Sequence, residues 1–162
     1  MQIRPASRSD DGDSIWVILE PTIRAAETYT LSAGMPRDEA LAYWFGPQHE
    51  VYAATEGDQV LGTYFLQPNQ QGGGSHVANC GYVTASWAMG RGVGRAMCAH
   101  SLDRARKRGF RAMQFNFVVS TNETAVHLWR SFGFEIVGRL PGAFRHPSQG
   151  FVDALVMYRS LF

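Results

Sequence analysis

The sequence predicts a single α/β domain whose strands form a mixed sheet. The length of 162 residues fits one domain with its own core. Apolar patterns follow in the order strand, two helices, three strands, helix, strand, helix and two strands. The third helix lies between two strands and directly follows a glycine-rich loop, as in a parallel β-α-β crossover. Without an internal repeat or a linker, the domain is expected to cover residues 1–162.

The first half of the chain begins with a short strand and two helices. Ser9-Asp10-Asp11 offers side-chain oxygens to cap the first helix, and the acids after Arg37 suit the start of the second. Gly57-Asp58 is a two-residue hairpin signal between two β-rich segments. We therefore predict, in order, a strand at 2–6, a helix fading near Thr28, a helix ending before Gly46-Pro47, and strands at 49–56 and 59–67.

The second half alternates strands and helices. Met113, Phe115, Phe117 and Val119 alternate with polar residues and Val118, which predicts a strand with one strongly apolar face. Ser120-Thr121-Asn122-Glu123 has the pattern of a capping box before a helix that ends at Gly133. The next predictions are a loop at 69–75, with a phosphate cradle as the alternative, a strand at 76–85, and a helix from Gly94 that Gly109 ends. The last two strands are predicted at 134–139, or extended past Pro141-Gly142, and at 151–158.

Composition narrows the classes of partner. Hydrophobic residues make up 45% and charged residues 18%, as in ordinary folded domains. The formal net charge of +1 provides no global field for a nucleic acid or an anionic membrane, so neither partner is expected. The N-terminus lacks the apolar run of a signal peptide, and Cys80 and Cys98 have neither CxxC nor zinc spacing. Free thiols and a cytoplasmic location are the resulting expectations.

The glycine loop Gly90-x-Gly92-x-Gly94 predicts an anion site. A strand that leads through such a loop into a helix collects unpaired backbone N–H groups at the positive helix end, and glycine allows close approach of a phosphate. Seven basic residues against Asp103 alone between positions 91 and 111 place positive charge beside the loop. The alternative is a tight strand–helix connection without a ligand. A Rossmann site is disfavoured because Arg95 breaks its glycine fingerprint and the next strand ends without a carboxylate.

Several other chemistries lack their residues. Lys107 is the only lysine and lies in a charge run, so a P-loop or a Schiff base is not expected. No Gly-x-Ser-x-Gly elbow is present, and the histidines show neither HxH nor HExxH spacing. We predict no metal site.

Two motifs resemble the GNAT superfamily of N-acetyltransferases: Met89-Gly90-Arg91-Gly92-Val93-Gly94, and Asn122-x-x-Ala125-x-x-Leu128-Trp129-x-x-x-Gly133-Phe134. The resemblance spans nearly the whole chain. It implies a sheet of about seven strands flanked by about four helices, with acetyl-CoA as cosubstrate at a splayed pair of parallel strands. The cofactor site that it implies comprises Val83, Thr84, Met89, Gly90, Arg91, Gly92, Val93, Gly94, Arg95, Asn122 and Trp129.

Two residues depart from the superfamily pattern. Met89 stands where Gln or Arg is usual. Because backbone N–H groups do most of the binding in this motif, the departure affects one side-chain contact. Trp129 stands where a tyrosine commonly serves as the general acid toward the leaving thiolate, and indole cannot donate a proton in that way. Either another group serves, or water protonates the thiolate.

A narrower likeness concerns the fungal N-acetyltransferases that detoxify L-azetidine-2-carboxylate and related proline analogues. It rests on segments 77–82, 115–122, 136–141 and 152–154. It implies that Asn79 and Asn116 hold the amino acid and take part in catalysis, with Tyr82 as a further substrate contact. The alternatives are that both asparagines bond backbone groups where the strands diverge, and that Tyr82 only packs. Asp153 either anchors a turn or faces the substrate entrance.

These residues predict an acetyl-CoA-dependent N-acetyltransferase that acts on a small amine, most plausibly an amino acid or a cyclic proline analogue. The amine would attack the thioester directly, backbone N–H groups near Val83 and Thr84 would stabilise the oxyanion, and water held by Asn79 or Asn116 would be the base. The alternative acceptors are a peptide N-terminus, a lysine or an antibiotic amine. A non-catalytic acyl-CoA-binding module is a further alternative, and similar proteins commonly form homodimers through their C-terminal strands.

Overall fold

A computed structural model describes all residues from Met1 to Phe162. The helices are α1 (Arg8–Ala25), α2 (Arg37–Trp44), α3 (Val93–Lys107) and α4 (Glu123–Ser131). The strands are β1 (Gln2–Pro5), β2 (Glu50–Glu56), β3 (Gln59–Pro68), β4 (Val77–Thr84), β5 (Ala112–Val119), β6 (Glu135–His146) and β7 (Gly150–Ser160). All seven strands form one sheet in the order β1-β2-β3-β4-β5-β7-β6, in which only β4 and β5 run parallel. The predicted element order and mixed sheet are confirmed.

The helices cover both faces of the sheet. On β4, the Tyr82 hydroxyl forms a hydrogen bond with Ser101 of α3, whereas Val83 lines the same apolar space as Leu19 and Ile23 of α1. Because side chains alternate along a strand, even-numbered residues of β4 face α3 and odd-numbered residues face α1 and α2. None of the four helices has the length and apolar character needed to cross a bilayer.

The parallel pair β4–β5 is joined only at its beginning. Val77 lies opposite Ala112 and Ala78 opposite Met113, and no further pair is formed. Beyond Ala78 and Met113 the two strands diverge and leave an opening in the sheet, which we call the gap. The superfamily resemblance implied such a splayed pair.

Both ends of α1 and the register of β5 differ from the sequence predictions. Helix α1 begins earlier, because Ser7 is extended and its side chain accepts the Asp10 amide at 3.2 Å. It also ends earlier, at Ala25, where Ala26 turns into the left-handed region with φ 54°. In β5 the register is irregular between Phe115 and Val118, so Val118 is buried and the predicted alternation through Phe117 breaks there.

Asp11 both anchors α1 to β1 and bonds the N-cap of its own helix. Its carboxylate is buried and accepts Arg4 Nη2 at 2.7 Å and the Ser7 amide at 3.0 Å. The hydrogen bond from Arg4 lowers the pKa of Asp11, and the Ser7 amide acts in the same direction against desolvation.

We expect Asp11→Asn to lower the free energy of unfolding by about 1.5–3 kcal/mol, because a charge-assisted hydrogen bond is lost. Since the folded-state pKa of Asp11 is lowered, this contribution is present above the unfolded-state pKa of about 4 and is lost as the pH falls through the folded-state pKa. Urea unfolding of both proteins at pH 7 and pH 3 measures it. An equal difference at the two pH values would contradict the role of the ionised Asp11.

Candidate active site

The backbone of β4 presents unpaired polar groups to the gap. The Ala85 amide donates to Leu61 O on β3 at 2.8 Å, whereas His76 O accepts the Arg111 amide just before β5 at 2.8 Å. Backbone direction alternates along a strand, so the odd-numbered residues of β4 pair with β3 and the even-numbered ones face the gap. Beyond the last parallel pair, the N–H and C=O groups of Cys80, Tyr82 and Thr84 therefore have no strand partner.

This direction corrects one predicted contribution to oxyanion binding. The amide of Thr84 points into the gap as expected, but the amide of Val83 points to β3, where Val83 lies opposite Thr63. The Val83 side chain instead lines the apolar space between α1, α2 and the sheet. The second amide directed into the gap belongs to Tyr82.

The glycine loop ends at the exposed start of α3. Gly90 and Gly92 have φ values of +75° and +78°, and open space surrounds the position of a Cβ at each. Gly92 is the N-cap and supplies no side chain, and the first α-helical bond runs from the Ala96 amide to Gly92 O. The amides of Val93, Gly94 and Arg95 therefore have no partner within the helix. The loop has the unpaired donors and the open space that a phosphate requires.

The remaining loop residues are placed around these donors. A Cβ on Gly94 would lie 3.3 Å from Leu128 Cδ2, so the missing side chain lets α3 pack closely against α4. Met89 is exposed just before the loop. Arg91 pairs with Glu56 at 2.8 Å, and Arg95 donates to Ser131 Oγ at 3.3 Å.

The basic segment lies mostly away from the loop, contrary to the sequence prediction. Four of its charges, at positions 104 and 106–108, lie at the end of the 15-residue helix α3, roughly 20 Å along its axis from the loop. Arg104 and Arg108 bind Glu50, and Lys107 binds Asp103. Only Arg91 and Arg95 lie beside the predicted phosphate site.

Aromatic side chains fill the sheet face under α3 and α4. The Trp129 ring lies 4.8 Å from Tyr82 and 4.9 Å from Phe115, and is almost fully buried. The Tyr82 hydroxyl bonds Ser101 Oγ at 2.7 Å, and burial raises its pKa well above the usual range. Asn122 caps α4 by accepting the Ala125 amide at 3.3 Å.

A cluster of side-chain amides lies at the gap on the opposite face, toward α1 and α2. We call it the amide cluster; its members are Gln67, Asn69, Asn79, Gln114 and Asn116. Asn79 accepts from Gln67 at 3.2 Å and donates to Gln114 O at 3.0 Å. Asn116 accepts from Gln114 at 2.9 Å and donates to Asn69 at 2.6 Å.

The structure thus links the two predicted asparagines through Gln114 but leaves Tyr82 out. Tyr82 is three positions from Asn79 on the same strand, so its side chain lies on the other face. Sequence reasoning missed Gln67, Asn69 and Gln114. Period-two alternation offered a signal for Gln114, because it precedes Asn116 by two positions and shares its face.

His49 is the titratable group beside this cluster. Its ring stacks on Phe65 at a centroid distance of 3.9 Å, and Nδ1 lies 2.9 Å from Trp44 O. Burial lowers the pKa of His49, and hydrogen bonds to Trp44 and Gln67 oppose that shift. The amide cluster itself contains no carboxylate.

Comparison with known proteins decides the family. Residues 16–134 match the model of the acetyltransferase (GNAT) family. The chain belongs to this family. Membership supports acyltransferase activity, and the GNAT family uses acetyl-CoA. The unpaired amides and open space at the glycine loop suit phosphate groups such as those of CoA.

Similar proteins support the same GNAT assignment. A GCN5-related N-acetyltransferase from Kribbella flavida is 41% identical with a TM-score of 0.92, over 98% of this chain and 96% of its own. N-acetyltransferase aca1 of Schizosaccharomyces pombe is 26% identical, over 83% of this chain and 72% of its own. A phosphinothricin acetyltransferase from Sinorhizobium meliloti, solved with AcCoA, shares the fold at 19% identity with a TM-score of 0.84, over 98% of this chain and 87% of its own.

Proposed function

We propose that this GNAT enzyme transfers the acetyl group of acetyl-CoA to the amine of a small molecule, an amino acid or a cyclic proline analogue. The observation that carries the proposal is the division of the gap between two faces. The phosphate-type donors of the glycine loop lead into α3 on one face, and the amide cluster lies on the other. Donor and acceptor can therefore meet in the gap from opposite sides without competing for space.

Each group at the gap has a role in direct transfer. Acetyl-CoA supplies the thioester carbonyl that the neutral amine attacks. The Tyr82 and Thr84 amides, which face the gap, would stabilise the negative charge that its oxygen gains. As the N–C bond forms, the amine proton leaves to a water held by Asn79 or Asn116, and as the C–S bond breaks, water protonates the departing thiolate. A thiol pKa of about 8.5 makes this last step feasible without an acid at Trp129.

The amide cluster supports an amino acid as acceptor. An amide N–H can donate to a carboxylate, and an amide oxygen can accept from an amine. A carboxylate at the same place would stabilise the ammonium form of the acceptor, which has no lone pair for attack. Neutral amides leave the amine free to lose its proton. The likeness to the fungal acetyltransferases for proline analogues supports the same class of substrate.

The test is release of the CoA thiol from acetyl-CoA with a panel of amines. The panel contains L-azetidine-2-carboxylate, L-proline, L-methionine, a dipeptide, N-α-blocked lysine and spermidine. We expect turnover with one or more amino acids and the lowest kcat/KM with the polyamine. Tight acetyl-CoA binding without turnover of any amine would contradict the proposal and favour the non-catalytic module that Trp129 suggests. Preference for the dipeptide or the blocked lysine would contradict the substrate class alone.

We also propose a homodimer in the cytoplasm. Exposed apolar side chains on the last two strands, among them Val137 and Phe151, support an interface there. The free thiols Cys80 and Cys98 are consistent with a reducing compartment. Sedimentation velocity tests the dimer.

A further inference from the structure

The hydroxyl of Tyr29 reaches the gap from the loop between α1 and α2. It donates to Tyr82 O at 3.0 Å, a carbonyl that faces the gap because Tyr82 is even-numbered on β4. The ring packs edge-on against Trp44 at 6.2 Å, which holds it over the sheet. This face also carries the amide cluster, so Tyr29 lies on the side of the gap to which the proposed function assigns the acceptor.

The residue of β4 that lies beside the Tyr29 hydroxyl is Gly81, which has no side chain. A Cβ on Gly81 would approach the Tyr29 hydroxyl oxygen to 3.0 Å and Phe65 Cε1 to 2.6 Å. Real Cβ atoms do not tolerate the second distance without a shift of the neighbour. Glycine at position 81 is thus what admits both the Phe65 ring and the Tyr29 hydroxyl to the edge of the gap.

The existing hydrogen bond fixes which side of the hydroxyl is available. Because its proton is directed at Tyr82 O, the group offers only oxygen lone pairs to a ligand. Burial raises the pKa of Tyr29 far above its ordinary value, so the phenol stays neutral and does not act as a base. A neutral acceptor of this kind suits an N–H group of an uncharged amine.

We propose that Tyr29 accepts a hydrogen bond from one N–H of a primary amino-acid acceptor and so turns the nitrogen lone pair toward the gap, while the second N–H proton leaves to the water held by Asn79 or Asn116. This role rests on the proposed function of the site. It makes Tyr29 a substrate contact of the acetyl transfer on the same face as the amide cluster. It also explains why a tyrosine hydroxyl is held against an otherwise unpaired carbonyl of β4.

The test compares Tyr29→Phe with Tyr64→Phe. Tyr64→Phe is the matched control because it also removes a buried hydroxyl hydrogen bond, to His100 at 2.6 Å, but on the α3 face. For L-methionine, the primary amino acid of the panel, we expect Tyr29→Phe to lower kcat/KM about tenfold and to leave the KM for acetyl-CoA unchanged. Calorimetry of that amine on protein saturated with free CoA is expected to show about tenfold weaker binding. Gly81→Ala, which crowds the hydroxyl without removing it, is expected to cause a similar loss.

The outcomes test the role of Tyr29 separately from the proposed acetyl transfer. If the wild type acetylates other amines but not L-methionine, or if Tyr29→Phe matches Tyr64→Phe in kcat/KM and in binding for L-methionine, Tyr29 is not a substrate contact. If Tyr29→Phe weakens acetyl-CoA and amine equally, its role is structural, and the proposal is wrong. If the wild type acetylates no amine, the proposed function itself fails.

Discussion

Gly92→Asp is expected to raise the KM for acetyl-CoA by about 100-fold, equivalent to about 2.7 kcal/mol. Gly92 is the N-cap of α3 and has a φ of +78°, a conformation that Asp and Asn tolerate better than other side chains. The new carboxylate would lie beside the unpaired amides of the first helical turn. There it would accept their hydrogen bonds and repel the phosphates that they are expected to bind.

Two further variants isolate the charge from the backbone strain. Gly92→Asn has nearly the same shape without the charge, and we expect no more than about a tenfold rise in the same KM. Gly109→Asp places the carboxylate at φ +84° beyond the far end of α3, and acetyl-CoA kinetics should not change. Initial rates at saturating amine and varied acetyl-CoA provide the comparison. Equal KM values for Gly92→Asp and Gly92→Asn would mean that no anionic group binds at this loop.

Local sequence patterns predicted the secondary structure correctly where one signal was strong and no second signal favoured another structure. Gly57-Asp58 indicated a hairpin, and the structure has β2 ending at Glu56 and β3 starting at Gln59. Pro141-Gly142 left the end of the sixth strand open, because these residues also favour turns, and β6 in fact continues through them to His146. The reason is tertiary: Asp153 accepts the Gly142 amide at 2.9 Å and Arg139 Nη1 at 2.8 Å, which holds an irregular stretch of the strand in place.

The glycine loop could be predicted because its function is local. Its positive φ values and its unpaired amides depend on a few consecutive residues. The acceptor side depends on contacts between distant segments: Tyr29 meets Tyr82 across 53 positions, and Asn116 meets Asn69 across 47. Sequence patterns of period two or 3.6 contain no information about such pairs.

Backbone direction was a second limit. The sequence indicates which side chains alternate on β4, but the choice between the Val83 and Thr84 amides depends on which residues pair with β3. That register is set by the whole β3–β4 ladder, in which Thr63 lies opposite Val83 and the Ala85 amide bonds Leu61 O. A shift of one residue would exchange the amides that face the gap.

Asn79→Asp is expected to lower kcat/KM for the amine about 100-fold at pH 7, about 2.7 kcal/mol. Asp cannot replace the Asn79 N–H that donates to Gln114 O, and its charge would face that carbonyl oxygen. Gln67 still donates to it, so the carboxylate is held at the amide cluster. A negative charge there stabilises the ammonium form of a bound amine and raises the amine pKa.

The pH dependence separates this effect from simple disruption of the amide cluster. Because attack requires the neutral amine, the rising limb of kcat/KM against pH should move to higher pH by about one unit in Asn79→Asp. Asn79→Ala removes the hydrogen bonds without adding charge, and its rate should fall with no displacement of that limb. Gln70→Glu adds the same charge at an exposed position of the β3–β4 connection and should change neither kcat/KM nor the pH of its rising limb. If Asn79→Asp had the pH profile of Gln70→Glu, the acceptor amine would not lie beside Asn79, and the amide cluster would only join the diverging strands.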